Sequence, residues 1–341
     1  MSEFFLSPKY RAKLLLALGY VCISVGCGSG NQNQPEEELT KVRFMADWLA
    51  VPEQGGFFQA LAKGYYKEVG LDVEIMHRTG NTMQTLVVSQ GAADLSIGGS
   101  DEVLLAMGKG IRIKMLSGLF QNHPYCLMFH EGRRVDSFED LDGRRVMASP
   151  GSTWISYIEQ KYKIKLDLIP LEQTVQRFLA DSTREFIQAV FITNEPFVAL
   201  QAGVKTETLL ISESGWNPYK VIFSSRQFIR NEPEIVAAFL DASTRGWKDY
   251  MQNDPSPAHE MIADRNHAMS LEYMMFIRKS LKDFHIIEGN PSKGQAFGKL
   301  DPDRLTREMQ ILKDLGLVET VYGVDQMIAS DYLPRVGAQV D

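Results

Sequence analysis

The chain has 341 residues, 44% of them apolar and 23% charged, with a formal net charge of -7. That length leaves room for about two domains, and the composition suits a soluble globular fold with a sizeable core. The acidic balance provides no basic footprint, which excludes nucleic acid as an expected partner.

At the N-terminus, Lys9, Arg11 and Lys13 precede an apolar run from Leu14 to Val25. A run of about twelve residues is too short to span a bilayer as a lone helix. A charged segment followed by a short apolar one reads as a secretory signal over residues 1–26. Ser24-Val25-Gly26-Cys27 comes next. Small residues ahead of a cysteine resemble a bacterial lipobox, which implies lipidation at Cys27. Ser24 stands where that motif usually has Leu, and a plain cleaved signal is the competing reading. Residues 27–40 are polar and aperiodic, as expected of a flexible tether. The other cysteines are Cys22, inside the apolar run, and Cys126. With Cys27 modified, Cys126 has no partner for a disulfide. No Cys/His spacing fits zinc, and neither a metal nor a cofactor is expected.

The folded part is expected from Lys41. Val42 to Trp48 is β-rich and is followed by a Pro-Glu-Gln-Gly-Gly turn containing Gln54. Phe57, Phe58, Leu61 and Tyr65 then share a helix face. Leu71–Ile75 predicts a strand, Asn81-Thr82-Met83-Gln84 a helix start, and Ala93–Gly99 a strand. Ser100-Asp101 caps another helix, and Ile111–Leu119 is a further strand. Strands alternating with helices predict an α/β fold with a parallel sheet covered on both faces. Ligands of such sheets sit beyond the carboxyl ends of the strands. Asp47-Trp48, Asn81-Thr82 and Ser100-Asp101 occupy those ends. Small polar residues and free N–H groups at a helix start can hold an anion or a carbonyl; ordinary capping is the alternative for Asn81 and Ser100.

"GYYKEVGLDVE" (64–74), Asp47-Trp48 and Gly91-Ala92-Ala93-Asp94 resemble the periplasmic binding protein family that includes the THI5-like pyrimidine binders. Aliphatic sulfonate, taurine and nitrate binders are related. The resemblance covers roughly residues 41–255. It implies the type II periplasmic binding fold: two doubly wound α/β lobes, a ligand cleft between them and two hinge crossings. Lobe 1 is expected over 41–120 plus 220–341 and lobe 2 over 125–215, with crossings near 121–124 and 213–219.

Tyr125–His130 and Arg145–Ala148 are the next strands. Ser149-Pro150-Gly151-Ser152-Thr153 opens a helix carrying Trp154, where small residues allow close ligand approach. The strand from Ile187 meets Asn194-Glu195-Pro196, and Pro just inside a helix sets Asn194 and Glu195 at its entrance. Glu195 could accept hydrogen bonds from a ligand N–H, or serve only as a helix-dipole acid. Trp216 and Tyr219 lie near the return crossing, as cleft aromatics or hinge packing. Pro233 and Asp301-Pro302 begin C-terminal helices, and Trp247 is read as core.

The rim candidates are therefore Asp47, Trp48, Gln54, Phe58, Asn81, Thr82, Ser100, Asp101, Ser149, Ser152, Thr153, Trp154, Asn194, Glu195, Trp216 and Tyr219. Flat aromatic walls with a few hydrogen-bonding groups suit a small planar heterocycle, a pyrimidine-like thiamine precursor or a flavin. A sulfonate, taurine or nitrate-type anion is the alternative, although these strand ends show little cationic chemistry. The resemblance implies an ABC-type importer, with a membrane permease as partner and a monomeric binding protein. A THI5-like pyrimidine synthase and a sensory binding domain are the rivals of other classes. No G-x-S-x-G, phosphate loop or HExxH is present, and the chain is not expected to be an enzyme.

Overall fold

In the computed structural model, residues 38–78, 80, 82–172 and 174–332 are described. The signal, Cys27 and most of the tether fall outside them, as does Asn81. Ten strands are found among the described residues. In chain order they are β1 (Thr40–Met45), β2 (Leu71–Met76), β3 (Leu95–Gly99), β4 (Ile113–Phe120), β5 (Tyr125–His130), β6 (Arg145–Ala148), β7 (Asp167–Pro170), β8 (Ile187–Phe191), β9 (Thr206–Leu210) and β10 (Lys220–Ser225). They form two sheets, ordered β2-β1-β3-β10-β4 and β7-β6-β8-β5-β9. β2 alternates buried and exposed residues, as an edge strand does, whereas β3 is buried throughout.

The expected parallel sheet is in fact mixed. β1 runs parallel to β2 and β3, but β10 is antiparallel to β3 and β4. The second sheet repeats the pattern, with β6 parallel to β7 and β8 and β5 antiparallel to β8 and β9. The antiparallel strand in each sheet is the one whose chain has just arrived from the other sheet. β4 and β8 finish where the lobes meet; β5 and β10 begin there and must run away from it. A chain that crosses twice between lobes therefore imposes the mixed topology.

The Pro-Glu-Gln-Gly-Gly segment is not a turn. Pro52–Gln54 is a short 3-10 helix that leads directly into the Gly55–Ala62 helix. A Cβ on Gly55 would lie 2.3 Å from the Tyr250 ring, and one on Gly56 2.2 Å from the Trp247 ring. The glycines serve close helix packing, with Gly246 facing them from the Pro233–Gln252 helix. Trp247 and Tyr250 are buried there, and Phe44, Phe57 and Phe239 complete an aromatic core with the Phe44 and Phe57 rings 4.4 Å apart.

The Pro302–Asp314 helix starts as expected, with the Asp301 carboxylate accepting from the Asp303 N–H. The Ser256–Arg265 and Leu271–Asp283 helices fall in the C-terminal part, which reads as helical, although no start signal was picked out for them. The second of these joins the lobes: Tyr273 stacks at 5.0 Å on Phe197, which belongs to the Glu195–Gln201 helix after β8. No helix among the described residues is long and apolar enough to cross a membrane.

Candidate functional site in the interlobe cleft

β1 ends at Met45, three residues earlier than its β-rich composition suggests, so Asp47 and Trp48 belong to the loop beyond it. Asp47 pairs with the Lys220 ammonium at the start of β10. Lys220 is buried, and its Nζ lies 5.0 Å from the Phe120 ring centroid and 5.7 Å from that of Phe191. Phe120 closes β4 in the first sheet and Phe191 closes β8 in the second. The ammonium thus sits at the junction of the two lobes, with an aromatic ring from each. Gln54 supports the loop, its Nε2 donating to Asp47 Oδ1 at 3.2 Å and to the Trp48 carbonyl at 3.4 Å.

Hydrogen bonds cross from lobe to lobe. Glu53 Oε1 accepts from Thr193 Oγ1 at 2.8 Å and from Asn194 Nδ2 at 2.6 Å. Asp101 Oδ2 accepts from Thr153 Oγ1 at 2.5 Å. The lobes are therefore in direct contact. Asn194 also accepts from the Tyr273 hydroxyl at 3.3 Å.

The junction is rich in carboxyls, and burial governs their titration. Burial raises the pKa of Glu53, Asp101 and Glu102, and Glu102 is pushed further by Asp101. Glu195 is raised to about 7 by burial, against the hydrogen bond it accepts from the Phe191 N–H at 2.9 Å. His123 is lowered to about 3 by burial and then by the charges of Lys220 and Arg304. Three buried polar atoms around this region lack a hydrogen-bond partner: the acceptors Glu53 Oε2 and Gln54 Oε1, and the donor Trp154 Nε1. A buried polar atom left in this way costs free energy until something pairs with it. No group of three or more His, Cys, Asp and Glu among the described residues could hold a metal ion.

The anticipated rim residues divide. Asp47 and Gln54 meet around Lys220, Asp101 meets Thr153, and Asn194 meets Glu53. Trp48 is 47% exposed, and its carbonyl bonds His77 Nδ1 at 3.1 Å. Thr82 is half-buried ahead of the Gln84–Ser89 helix. Glu195 stands at its helix start as expected, with one oxygen committed to the backbone of Phe191.

Others are drawn into the scaffold. Ser100 is buried and is not the cap, which is Gly99; its hydroxyl donates to Glu308 and accepts from the Tyr219 N–H. Phe58 is fully buried against His77, and Trp216 is buried against Tyr157. Tyr219 is buried beneath the Arg304 guanidinium, 3.6 Å from its ring centroid. These three rings are large and apolar, and the core takes them before the cleft can. Ser152 turns back to the Ser149 carbonyl, and Ser149 itself is exposed. Gly151 adopts φ +83 with open space around its Cβ position, so it serves the turn and not a close approach.

Glu53, Lys220, Thr193, Phe120 and Phe191 were missed. Glu53 sits beside Gln54 in a segment read as a turn, and Lys220 is a lone cation opening an apolar run. The second is a signal, but its partner lies 173 residues away.

A family model described as NMT1/THI5 like matches residues 51–258. A formylaminopyrimidine-binding protein of Halalkalibacterium halodurans is 22% identical over 248 residues, covering 70% of this chain and 74% of that protein. The riboflavin-binding protein RibY of Chloroflexus aurantiacus is 24% identical over 307 residues, covering 87% of each. Pyrimidine phosphate synthases align as well, that named THI13 of Saccharomyces cerevisiae at 25% over 245 residues, covering 66% of this chain and 71% of its own. Among solved structures, a putative periplasmic sulfonate-binding protein from Methylobacillus flagellatus superposes with a TM-score of 0.62 at 16% identity, covering 87% of this chain and 93% of its own. The two-lobed architecture is that of the periplasmic binding proteins.

Proposed function

The chain belongs to the NMT1/THI5-like family, and from that membership we propose that it is the solute-binding component of an ABC-type importer. It captures a small planar heterocycle carrying N–H donors, a pyrimidine-like thiamine precursor or a flavin, by closing the cleft between its lobes. The observation that carries this reading is the floor of the cleft. Glu53, Asp101, Glu102 and Glu195 supply acceptors there, and the nearby cation, Lys220, is already paired with Asp47. Such a surface welcomes amino and imide N–H groups and offers a sulfonate or nitrate no unpaired side-chain cation at this point. The pyrimidine- and riboflavin-binding relatives support the same ligand class.

Asp47, Gln54, Asp101, Thr153, Asn194 and Glu195 are the ligand-reading groups of this proposal, joined by Glu53, with Trp48 as the accessible aromatic. Lobe 1 comprises 41–120 and 220–341, and lobe 2 comprises 125–215. The chain is exported and anchored through Cys27, works as a monomer, delivers its ligand to a membrane permease, and catalyses no reaction. The relatives that are synthases keep an enzyme reading in view, and product formation from a pyrimidine precursor would decide for it.

Differential scanning fluorimetry tests the ligand class, because a ligand that binds only the folded state raises the melting temperature. A shift with 4-amino-5-hydroxymethyl-2-methylpyrimidine or riboflavin is expected. A shift with taurine or alkanesulfonates, and none with the heterocycles, would overturn the reading.

A further inference from the structure

We infer that Arg304 is a positioning residue for cleft closure, clamping the two chain crossings together so that they bend as one hinge; this rests on the capture-by-closure reading above. Arg304 lies in the first turn of the Pro302–Asp314 helix. Its Nη1 donates to the Gln121 carbonyl at 2.8 Å, in the crossing from β4 to β5. Its Nε donates to the Asn217 carbonyl at 3.1 Å, in the crossing back to β10, and Nη2 bonds the same oxygen. The guanidinium stacks 3.6 Å over the Tyr219 ring. A planar fork with several fixed donors can span two carbonyls and stack on the ring at once, whereas an ammonium can bond carbonyls but has no plane to stack. Asn217 adds a second tie: its Oδ1 accepts from the His123 N–H at 2.8 Å, and its Nδ2 donates to Asn122 Oδ1 at 3.1 Å.

The clamp acts on the first-lobe side of each crossing, since Gln121 directly follows β4. The second lobe grips the other side. Tyr157 and Lys161 both bond the Ser214 carbonyl, and the Ile192 N–H donates to the Pro124 carbonyl at 2.9 Å. Asn122 is still held to the first lobe, its N–H by the Ile286 carbonyl at 3.3 Å and its Nδ2 by the His285 carbonyl at 2.9 Å, so His123 lies between the two grips in one crossing, and Gly215 and Trp216 in the other. Gly215 has φ +93, a conformation open to glycine, which suits a point of torsion. A hinge confined to a few such residues moves about a defined axis. With Arg304 removed, the two crossings are freer to twist independently.

The test measures the distance between the lobes by electron–electron double resonance in the ligand-free chain. Nitroxides are attached at Lys67→Cys in the first lobe and Gln160→Cys in the second, both exposed positions. Cys22 and Cys27 are replaced by Ala, and Cys126 is buried and escapes labelling. Arg304→Met should broaden the distance distribution and extend it to longer distances. Arg304→Lys should broaden it less, and Arg307→Met, an exposed position one turn along, should leave it unchanged. An Arg304→Met distribution that superimposes on the parent, or an equal broadening by Arg307→Met, would overturn the inference. Where Arg304→Met gives no cooperative melt, Arg304→Lys decides, by broadening or by superimposing. Failure of the capture reading looks different: the parent distribution then stays unmoved by riboflavin or the aminopyrimidine, whatever Arg304 does.

Discussion

Replacing Glu308 by Gln removes a carboxyl that the fold keeps protonated at neutral pH. Glu308 is 5% exposed, and its two oxygens lie 2.7 and 2.9 Å from the Ser100 hydroxyl that donates to them. Burial, and then the neighbouring Asp101, push its pKa from an ordinary 4.5 to about 8, with Ser100 and Arg304 opposing. The unfolded chain releases this proton near its ordinary pKa. Between the two values the native state holds a proton that the unfolded state does not. Stability therefore falls as pH rises through that window, and it falls no further once native Glu308 ionises. At about 1.4 kcal/mol per unit, a window of about 3.5 units is worth at most roughly 4–5 kcal/mol. Gln keeps an oxygen for the Ser100 hydroxyl and does not titrate. The stability of Glu308→Gln minus that of the parent should thus be smallest near pH 5 and grow by a few kcal/mol toward pH 8. Urea unfolding at intervals across this range gives the difference directly. Glu195 and His123 titrate in both proteins and cancel from it. A difference that stays flat, or shrinks as pH rises, would refute the reasoning.

Three structural changes test the scaffold around the cleft. Gly246→Ala places a Cβ 2.2 Å from the Gly56 carbonyl oxygen and 2.6 Å from Ala60 Cβ; thermal melts should show a loss of about 1–3 kcal/mol or more. Lys220→Met strands the Asp47 carboxylate at the lobe junction, which should cost about 3–5 kcal/mol in urea unfolding. Adding Asp47→Asn to it should recover part of that loss, and a double variant no better than the single one would argue against the pair. Thr153→Val keeps the side-chain shape but leaves Asp101 without its hydroxyl donor. A cost of about 1–3 kcal/mol is expected from equilibrium unfolding, and no change would mean that this cross-lobe bond contributes nothing.

Much of the architecture was legible in the order of residues. β-branched and aromatic runs set between glycine-rich breaks marked most strands within two residues, because strand formation there depends on local composition and burial. Pro233 and Asp301-Pro302 marked helix starts for the same local reason. The likeness carried by "GYYKEVGLDVE" pointed to the two-lobed fold. Local pattern could not show the direction of β10. That strand is antiparallel because its chain enters from the junction between lobes, which is a property of the path and not of "KVIFSS".

The candidate site was legible in part, and the division has a physical cause. Asp47, Gln54, Asp101, Thr153 and Asn194 could be singled out because strand ends and helix starts advertise small polar residues locally, and the structure brings them to the lobe junction. Phe58 was expected at the rim and fills the core instead, and Trp216 and Tyr219 follow the packing alternative read for them, since a large ring gains by leaving water. Glu53, Lys220 and the clamp at Arg304 escaped notice because each acts on residues far along the chain: Glu53 on Thr193 140 residues away, Arg304 on Gln121 183 residues away. The sequence by itself determined the elements, the two-lobed family likeness and the polar strand ends. Only the tertiary structure decided which of those polar groups meet, because a hydrogen bond or ion pair acts over a few ångströms and the crossings between lobes set which distant residues come within that reach.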